Sequence, residues 1–194
     1  MRVAEGRVPQ QARGEERRER ILRATLAVIS RAGIPAVTHR SVAEEAGVPL
    51  GSLTYWFATK DDLLREALRR FVADEAERLR GIAEQLNDGA APAEVARRFA
   101  RVLEKAHVGP DQIAQFELYL EAARNPVLRP IAAEGVRAYD EVAVAALRAV
   151  GAPDPEAAAP LFVSLADGLG MRRIASGDAP PLDQLMLALL RALV

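Results

Sequence analysis

Apolar side chains recur at three- and four-residue intervals along most of the chain, and no stretch alternates with period two. The first stripe is Ile21, Leu22, Leu26, Ile29 and Ala32, thickened by Ala24, Ala27 and Val28, and it predicts a helix from Glu15. Gly33 stops that helix and Pro35 forbids its continuation. Thr38 stands as N-cap of a short helix, His39 to Ala46, which Gly47 ends. Another short helix, Leu50 to Phe57, follows almost at once. Thr59-Lys60-Asp61-Asp62 has the layout of a capping box and opens a long helix through Leu86. Beyond Gly89 the pattern predicts helices from Pro92 to His107, Pro110 to Arg124, Pro126 to Val150, Pro155 to Ala175 and Pro181 to Leu193. Proline at or near each start suits the first turn, whose N–H groups have no partner within the helix. The expectation is an all-α chain of about nine helices. Residues 1–13, polar and without periodicity, read as a flexible arm ahead of them.

Composition narrows the chemistry. The chain has no cysteine, so disulfide frameworks, thiolate zinc sites and cysteine nucleophiles are excluded. No apolar segment of signal-peptide type opens the chain. Runs such as Leu185–Leu190 fall far short of the ~20 residues a membrane span needs. A cytoplasmic protein without membrane contact is expected. The net charge of −1 conceals an asymmetry. Residues 1–60 carry ten Lys and Arg against six acids, whereas the remainder carries sixteen against twenty-one. A basic N-terminal third on an acidic body suits an anionic partner such as nucleic acid at that end.

The two short helices supply the matching geometry. Joined by a tight turn at Gly47, they have the layout that sets a second helix into the DNA major groove. Ala43 permits close approach, and Val42, Val48 and Leu53 bury against the first helix. The stretch Thr38-His39-Arg40-Ser41-Val42-Ala43-Glu44-Glu45-Ala46-Gly47-Val48-Pro49-Leu50-Gly51-Ser52-Leu53-Thr54-Tyr55-Trp56-Phe57 resembles the signature of the tetracycline-repressor (TetR) family. Lys60 and Leu63-Leu64 after it, and Arg31-Ala32-Gly33 before it, also fit. The resemblance covers roughly residues 15–65.

It implies an N-terminal three-helix DNA-binding domain over residues 14–60 and a helical effector-binding and dimerisation domain over 61–194. It further implies that Thr38 and Arg40 sit near a phosphate, aided by the dipole of their helix. Pro49, Leu50, Gly51, Ser52 and Thr54 present the next helix to base edges, and Tyr55 and Lys60 hold the DNA backbone. Two positions depart from the family. Pro49 stands where many members have Ser or Thr, so its helix lacks a hydroxyl cap. Trp56 stands where His or Tyr is frequent, and it is assigned to packing against the fourth helix or the phosphate backbone. Because no Arg, Asn or Gln lies between Pro49 and Phe57, bidentate base contacts are unavailable there. Specificity then leans on Thr54, Ser52, Leu50 against a thymine methyl, DNA shape and Arg40. Arg7 or Arg13 of the arm would add minor-groove contacts.

Enzymatic readings fail on spacing. His39 and His107 lie on different helices without clustered carboxylates, a poor metal site. Asp167-Gly168-Leu169-Gly170 lies inside a helical pattern with no preceding strand, so it reads as close helix packing and not as a phosphate loop. Glu117 and Glu121, one turn apart, read as a solvated face. No Ser-His-Asp set or GxSxG elbow occurs. The chain is expected to be no enzyme and to need no cofactor.

The residues after the helix-turn-helix exceed what DNA reading needs. The resemblance implies a small-molecule effector bound among apolar and aromatic groups, with Phe99, Leu103, Phe116, Tyr119, Leu120, Tyr139 and Phe162 as candidates. Leu161, Leu165, Leu169 and Ile174, with Ala166, Gly168 and Gly170, mark one face for homodimerisation. Leu182, Leu185, Leu189 and Leu193 mark the other. The expected protein is a repressor binding a palindromic duplex with recognition helices ~34 Å apart. The alternative from another class is an all-helical protein–protein adaptor that does not bind DNA.

Overall fold

A computed structural model describes residues 10–84, 91, 93–94, 96–97, 110–177 and 181–193. Among these residues all regular structure is helical. The α-helices are α1 (Gln10–Ala32), α2 (His39–Ala46), α3 (Leu50–Trp56), α4 (Lys60–Ala83), α5 (Pro110–Arg124), α6 (Arg129–Ala149), α7 (Pro155–Ser176) and α8 (Leu182–Leu193). A 3₁₀ turn, Ile34–Ala36, follows α1.

Most boundaries fall where the sequence places them, and the differences have local causes. Helix α1 begins at Gln10, so residues 10–13 of the expected arm are helical, and Arg13 is an exposed residue of that first stretch. Residues 1–9, with Arg7, lie outside the described residues. Helix α4 ends at Ala83, short of Leu86. Helix α6 starts at Arg129 and not at Pro126, because Asn125 makes a turn first. Its carbonyl accepts from the Leu128 N–H at 3.1 Å and its side-chain oxygen from the Val127 N–H at 3.1 Å. The helix expected over Pro92–His107 falls largely outside the described residues, although Ala93, Glu94, Ala96 and Arg97 are helical.

Two apolar cores hold the helices. The first joins Ile21, Ile29, Val42, Leu53 and Phe57 to Leu64 and Leu68 of α4 and to Leu118 of α5. It therefore runs without a break from the helix-turn-helix into the body. The second gathers Leu147, Phe162, Leu169 and Met186 from α6, α7 and α8. Both cores bury side chains at about 25 cal/mol per Å² of apolar area removed from water. Ion pairs cross between helices at the rim of the first core. Arg18 meets Glu66 at 2.6 Å, and Glu19 meets Arg70 at 3.2 Å, both between α1 and α4.

Gly135 lets α6 approach α4. A Cβ at that position would lie 2.9 Å from Val72 and 2.8 Å from the Tyr119 hydroxyl. Alanine there would force α4 and α6 apart.

Candidate functional site

The helix-turn-helix is fixed by caps. Thr38 Oγ1 accepts from the Ser41 N–H at 3.0 Å, and Ser41 Oγ accepts from the Thr38 N–H at 3.0 Å. This reciprocal pair satisfies two donors that α2 cannot satisfy internally. Gly47 ends α2 in the left-handed region, φ 62°, where a side chain would be strained. The chain then reverses so that the Val48 N–H reaches Ala43 O at 3.0 Å. Val48, Val42 and Leu53 are buried, and α3 is thereby pinned against α2. A second capping box opens α4. Thr59 Oγ1 accepts from the Asp62 N–H at 3.0 Å, and Asp62 Oδ2 accepts from the Thr59 N–H at 3.1 Å. The Thr59 hydroxyl holds the Asp62 carboxyl below its usual range.

Most of the residues expected to face DNA are exposed on α2, α3 and the turn between them. Thr38, Arg40, Pro49, Leu50, Gly51, Thr54 and Tyr55 are exposed, and Ser52 is half-buried. Tyr55 is 82% exposed, far more than a core aromatic would be. Nothing lies within 4 Å of where a Gly51 side chain would begin. Pro49 caps α3 with no side-chain hydrogen bond, and Thr54 Oγ1 turns back to Leu50 O and Gly51 O at 3.3 and 3.2 Å. Arg40 Nε rests 3.1 Å from Glu44, an exposed pair that contributes little and leaves the guanidinium available.

Lys60 is more occupied than its sequence role suggests. Its Nζ donates to Ile34 O at 2.7 Å, tying α4 to the turn after α1. An ammonium has three donors, so two remain for another partner. Trp56, at the edge of exposure, lies beside α1. A side chain at Gly14 of α1 would begin 3.6 Å from its ring, and it meets Tyr55 edge to face at 5.5 Å. Sequence reasoning missed His39, whose Nε2 donates to Phe57 O at 2.9 Å. It also missed Arg18, whose guanidinium lies 6.0 Å over the Phe57 ring.

The effector candidates divide. Phe99 and Leu103 lie outside the described residues. Phe162 is buried in the second core, and Leu120 is 55% exposed on the outer surface of α5, so neither lines an interior space with the tyrosines. Tyr119 and Tyr139 do come together. They flank a tight crevice between α4, α5 and α6, too narrow to hold a water molecule as it stands, with Phe71, Val72, Glu75 and Gly135. Gln115 donates to the Tyr139 hydroxyl at 3.2 Å, and that hydroxyl donates to Glu75 at 2.9 Å. Phe116, half-buried, shares this side of α5 by spacing.

Gln112, one turn before Gln115, is 3% exposed, and both its side-chain polar atoms lack a partner, as does the Tyr119 hydroxyl. Burial pushes the Tyr119 phenol up to about 12, with the Asp167 and Glu75 carboxylates adding to the rise and Gln115 opposing it. Burial raises Tyr139 further. Buried polar groups without partners are rare. A wider groove of about 530 Å³ on the surface of α4 and α6, lined by Arg69, Glu77, Arg137 and Glu141, contains none of the expected residues.

The expected dimer face is partly redrawn. Leu169 and Gly170 turn inward and are buried, and Leu165 and Ala166 are half-buried against the second core. Leu161, Gly168 and Ile174 face outward with Met171, which the sequence reading left out. Leu185 and Leu189 of α8 also pack on the second core, and the side chains of Leu182 and Leu193 lie outside the described residues.

Comparison with known proteins matches this geometry. Residues 21–67 match the family model described as bacterial regulatory proteins, tetR family. Residues 90–194, more than half of the chain, match the tetracyclin repressor-like C-terminal domain. The chain belongs to the TetR family. Among solved TetR-fold structures, a family member from Streptomyces coelicolor is 34% identical, with 92% of this chain and 98% of that one covered at a TM-score of 0.74. The multidrug binding protein EbrR, complexed with imidazole, is 33% identical, with 100% and 97% covered at a TM-score of 0.70. The HTH-type transcriptional repressor KstR of Mycolicibacterium smegmatis is 53% identical over 55 residues, 28% of this chain. The chain spans only 37% and 27% of the first curated regulators it matches.

The chain thus carries both parts of the TetR family of bacterial regulatory proteins, an N-terminal helix-turn-helix and a helical C-terminal domain. The adaptor reading gains no support from these matches. Among the described residues no helix is long and apolar enough to cross a membrane.

Proposed function

We propose that the chain is a repressor that binds a palindromic operator as a homodimer and releases it when a small molecule occupies the body. The observation that carries this reading is the exposed surface of Thr38, Arg40, Leu50, Thr54 and Tyr55 on two helices locked by caps and by His39. Residues 14–60 read DNA and 61–194 bind the effector and the second copy. Arg40, Tyr55 and the free donors of Lys60 contact phosphates, which set register without choosing sequence. Leu50, Ser52 and Thr54 face base edges with Pro49 and Gly51 shaping the approach. Since none of these side chains makes a bidentate base contact, groove shape contributes much of the selectivity.

The outward stripe Leu161, Gly168, Met171 and Ile174 on α7 joins two copies about a twofold axis. Tyr119 and Tyr139 are the effector candidates that come together, and the likeness to the multidrug binding protein EbrR supports a small-molecule role for the body. A direct link to the DNA head exists. Asn125 at the end of α5 donates to Asp61 at the start of α4 at 3.0 Å, so a shift of α5 reaches the helix-turn-helix.

The test is selection of duplexes from a random pool by the full chain. Inverted repeats with half-sites about one helical turn apart support the reading. Enrichment of no sequence, or of an asymmetric single site, contradicts it.

A further inference from the structure

We infer that the first turns of α1 are a DNA contact, in which Arg13, Arg17 and Arg20 hold phosphates beside the end of α3. This rests on the reading of the helix-turn-helix as a DNA-binding unit. Its basis is a contrast in how the arginines are paired. On α4, Arg65, Arg69, Arg70, Arg78 and Arg80 each meet an acid. On α1, Arg13, Arg17 and Arg20 are exposed, and among the described residues none of them has an ion pair or a side-chain hydrogen bond. They follow one another at i, i+4 and i+7 and so share one side of the helix. Arg31, about five turns on from Arg13, marks that side as the one facing α2, because it meets Glu45 there at 2.7 Å. Glu15 and Glu19 lie on the side toward α4, where Glu19 meets Arg70 at 3.2 Å. Glu16, at the outer edge of the strip, pairs with none of the three. The strip is thus basic without internal compensation, and an extended anion compensates it.

Position identifies the anion. A side chain at Gly14 would begin 3.6 Å from the Trp56 ring, and Trp56 in turn meets Tyr55 edge to face. Arg13 precedes Gly14 and Arg17 follows it by about one turn, so the strip continues from the exposed Tyr55 across Trp56. The Trp56 indole N–H, without a hydrogen-bond partner among the described residues, adds a donor between them. Arg18 does not join the strip. Its guanidinium turns to Glu66 at 2.6 Å and over the Phe57 ring, which fixes this part of α1 to α4 and to the end of α3. Helical form then decides which feature of DNA is met. The sequence places Arg13 in a flexible arm that enters the minor groove, whereas the structure places it in a helix. A helix about 10 Å across does not enter a minor groove about 6 Å wide, so from α1 the guanidiniums reach phosphates at its rim. Such contacts add affinity on every sequence and choose none. They offset an α3 surface that offers no bidentate base contact.

The test titrates the full chain into labelled duplexes, the operator selected from the random pool and a scrambled one, across a salt series. Arg17→Gln should weaken binding to both duplexes equally and reduce the salt slope by about 1 for each protomer bound. Arg13→Gln with Arg20→Gln should reduce it by about 2. Arg17→Lys, which keeps the charge, should retain the slope of the wild type. Arg137→Gln on α6 removes the same charge from an exposed, unpaired position in the body and should leave the slope unchanged. Helical circular dichroism should match the wild type in every variant. A slope unchanged in both α1 variants, or an equal drop from Arg137→Gln, would overturn the inference while leaving the DNA reading intact. Failure of the wild type to bind either duplex would overturn both.

Discussion

His39 Nε2 lies 2.9 Å from the carbonyl oxygen of Phe57, tying the first turn of α2 to the residue that ends α3. The bond closes the helix-turn-helix from the side opposite the Gly47 turn. It orders the surface from Leu50 to Tyr55 without touching it. Removal of the imidazole leaves a carbonyl without its donor, at a cost of about 1–2 kcal/mol. His39→Ala should lower thermal stability by several degrees and weaken operator binding more than that loss alone explains. His39→Gln, which can donate to the same carbonyl, should restore part of both. Paired thermal unfolding and DNA titrations check this.

Phosphate contacts and base contacts respond differently to substitution. Arg40→Ala should weaken binding equally on the selected operator and on a scrambled duplex, and reduce the salt slope by about 1. Tyr55→Phe should also act uniformly. Thr54→Ala should instead narrow the ratio between the two duplexes by roughly tenfold. Fluorescence anisotropy across a salt series separates the two classes.

On α7 the outward side chains Leu161 and Met171 lie on one stripe, with open space beside Gly168. Glutamate at both positions would bring like charges across the twofold axis. Leu161→Glu with Met171→Glu should sediment as a monomer, keep its helical circular dichroism and lose operator binding. A dimer that persists in this variant would place the interface elsewhere.

Burial, together with the neighbouring Asp140 carboxylate, pushes the Asp167 carboxyl up to about 6. A pKa raised by folding means stability that is full below the unfolded value, about 3.9, and lost as pH rises through the folded one. Asp167→Asn should therefore be more stable than the wild type at pH 8 by about 1–2 kcal/mol, after allowance for solvent screening. The difference should vanish below about pH 4. Urea unfolding at the two pH values measures the effect.

Local chemistry made the DNA-binding unit legible. Thr38, Gly47 and Thr59 each act within four residues of their own position, so their caps and turn could be read from spacing alone. The α3 surface was legible for the same reason, since Leu53 and Phe57 alternate with outward residues at helical period. The pairs that shape the body were not. Tyr139 with Glu75, Asn125 with Asp61 and Arg18 with Glu66 join residues far apart in sequence, and no periodicity predicts which face meets which. Asp167 shows the difference most clearly. Beside two glycines it read as a packing residue, and only the approach of α6 brings Asp140 next to it. Trp56 likewise found its place against Gly14, because α1 starts at Gln10, ahead of where the apolar stripe begins.

The account stands or falls on sedimentation of the full chain with the duplex selected from the random pool, at several salt concentrations. It predicts an even number of protomers on each palindrome, with affinity falling steeply as salt rises and release on addition of a bound small molecule. A single protomer per duplex, or binding indifferent to salt, would contradict it.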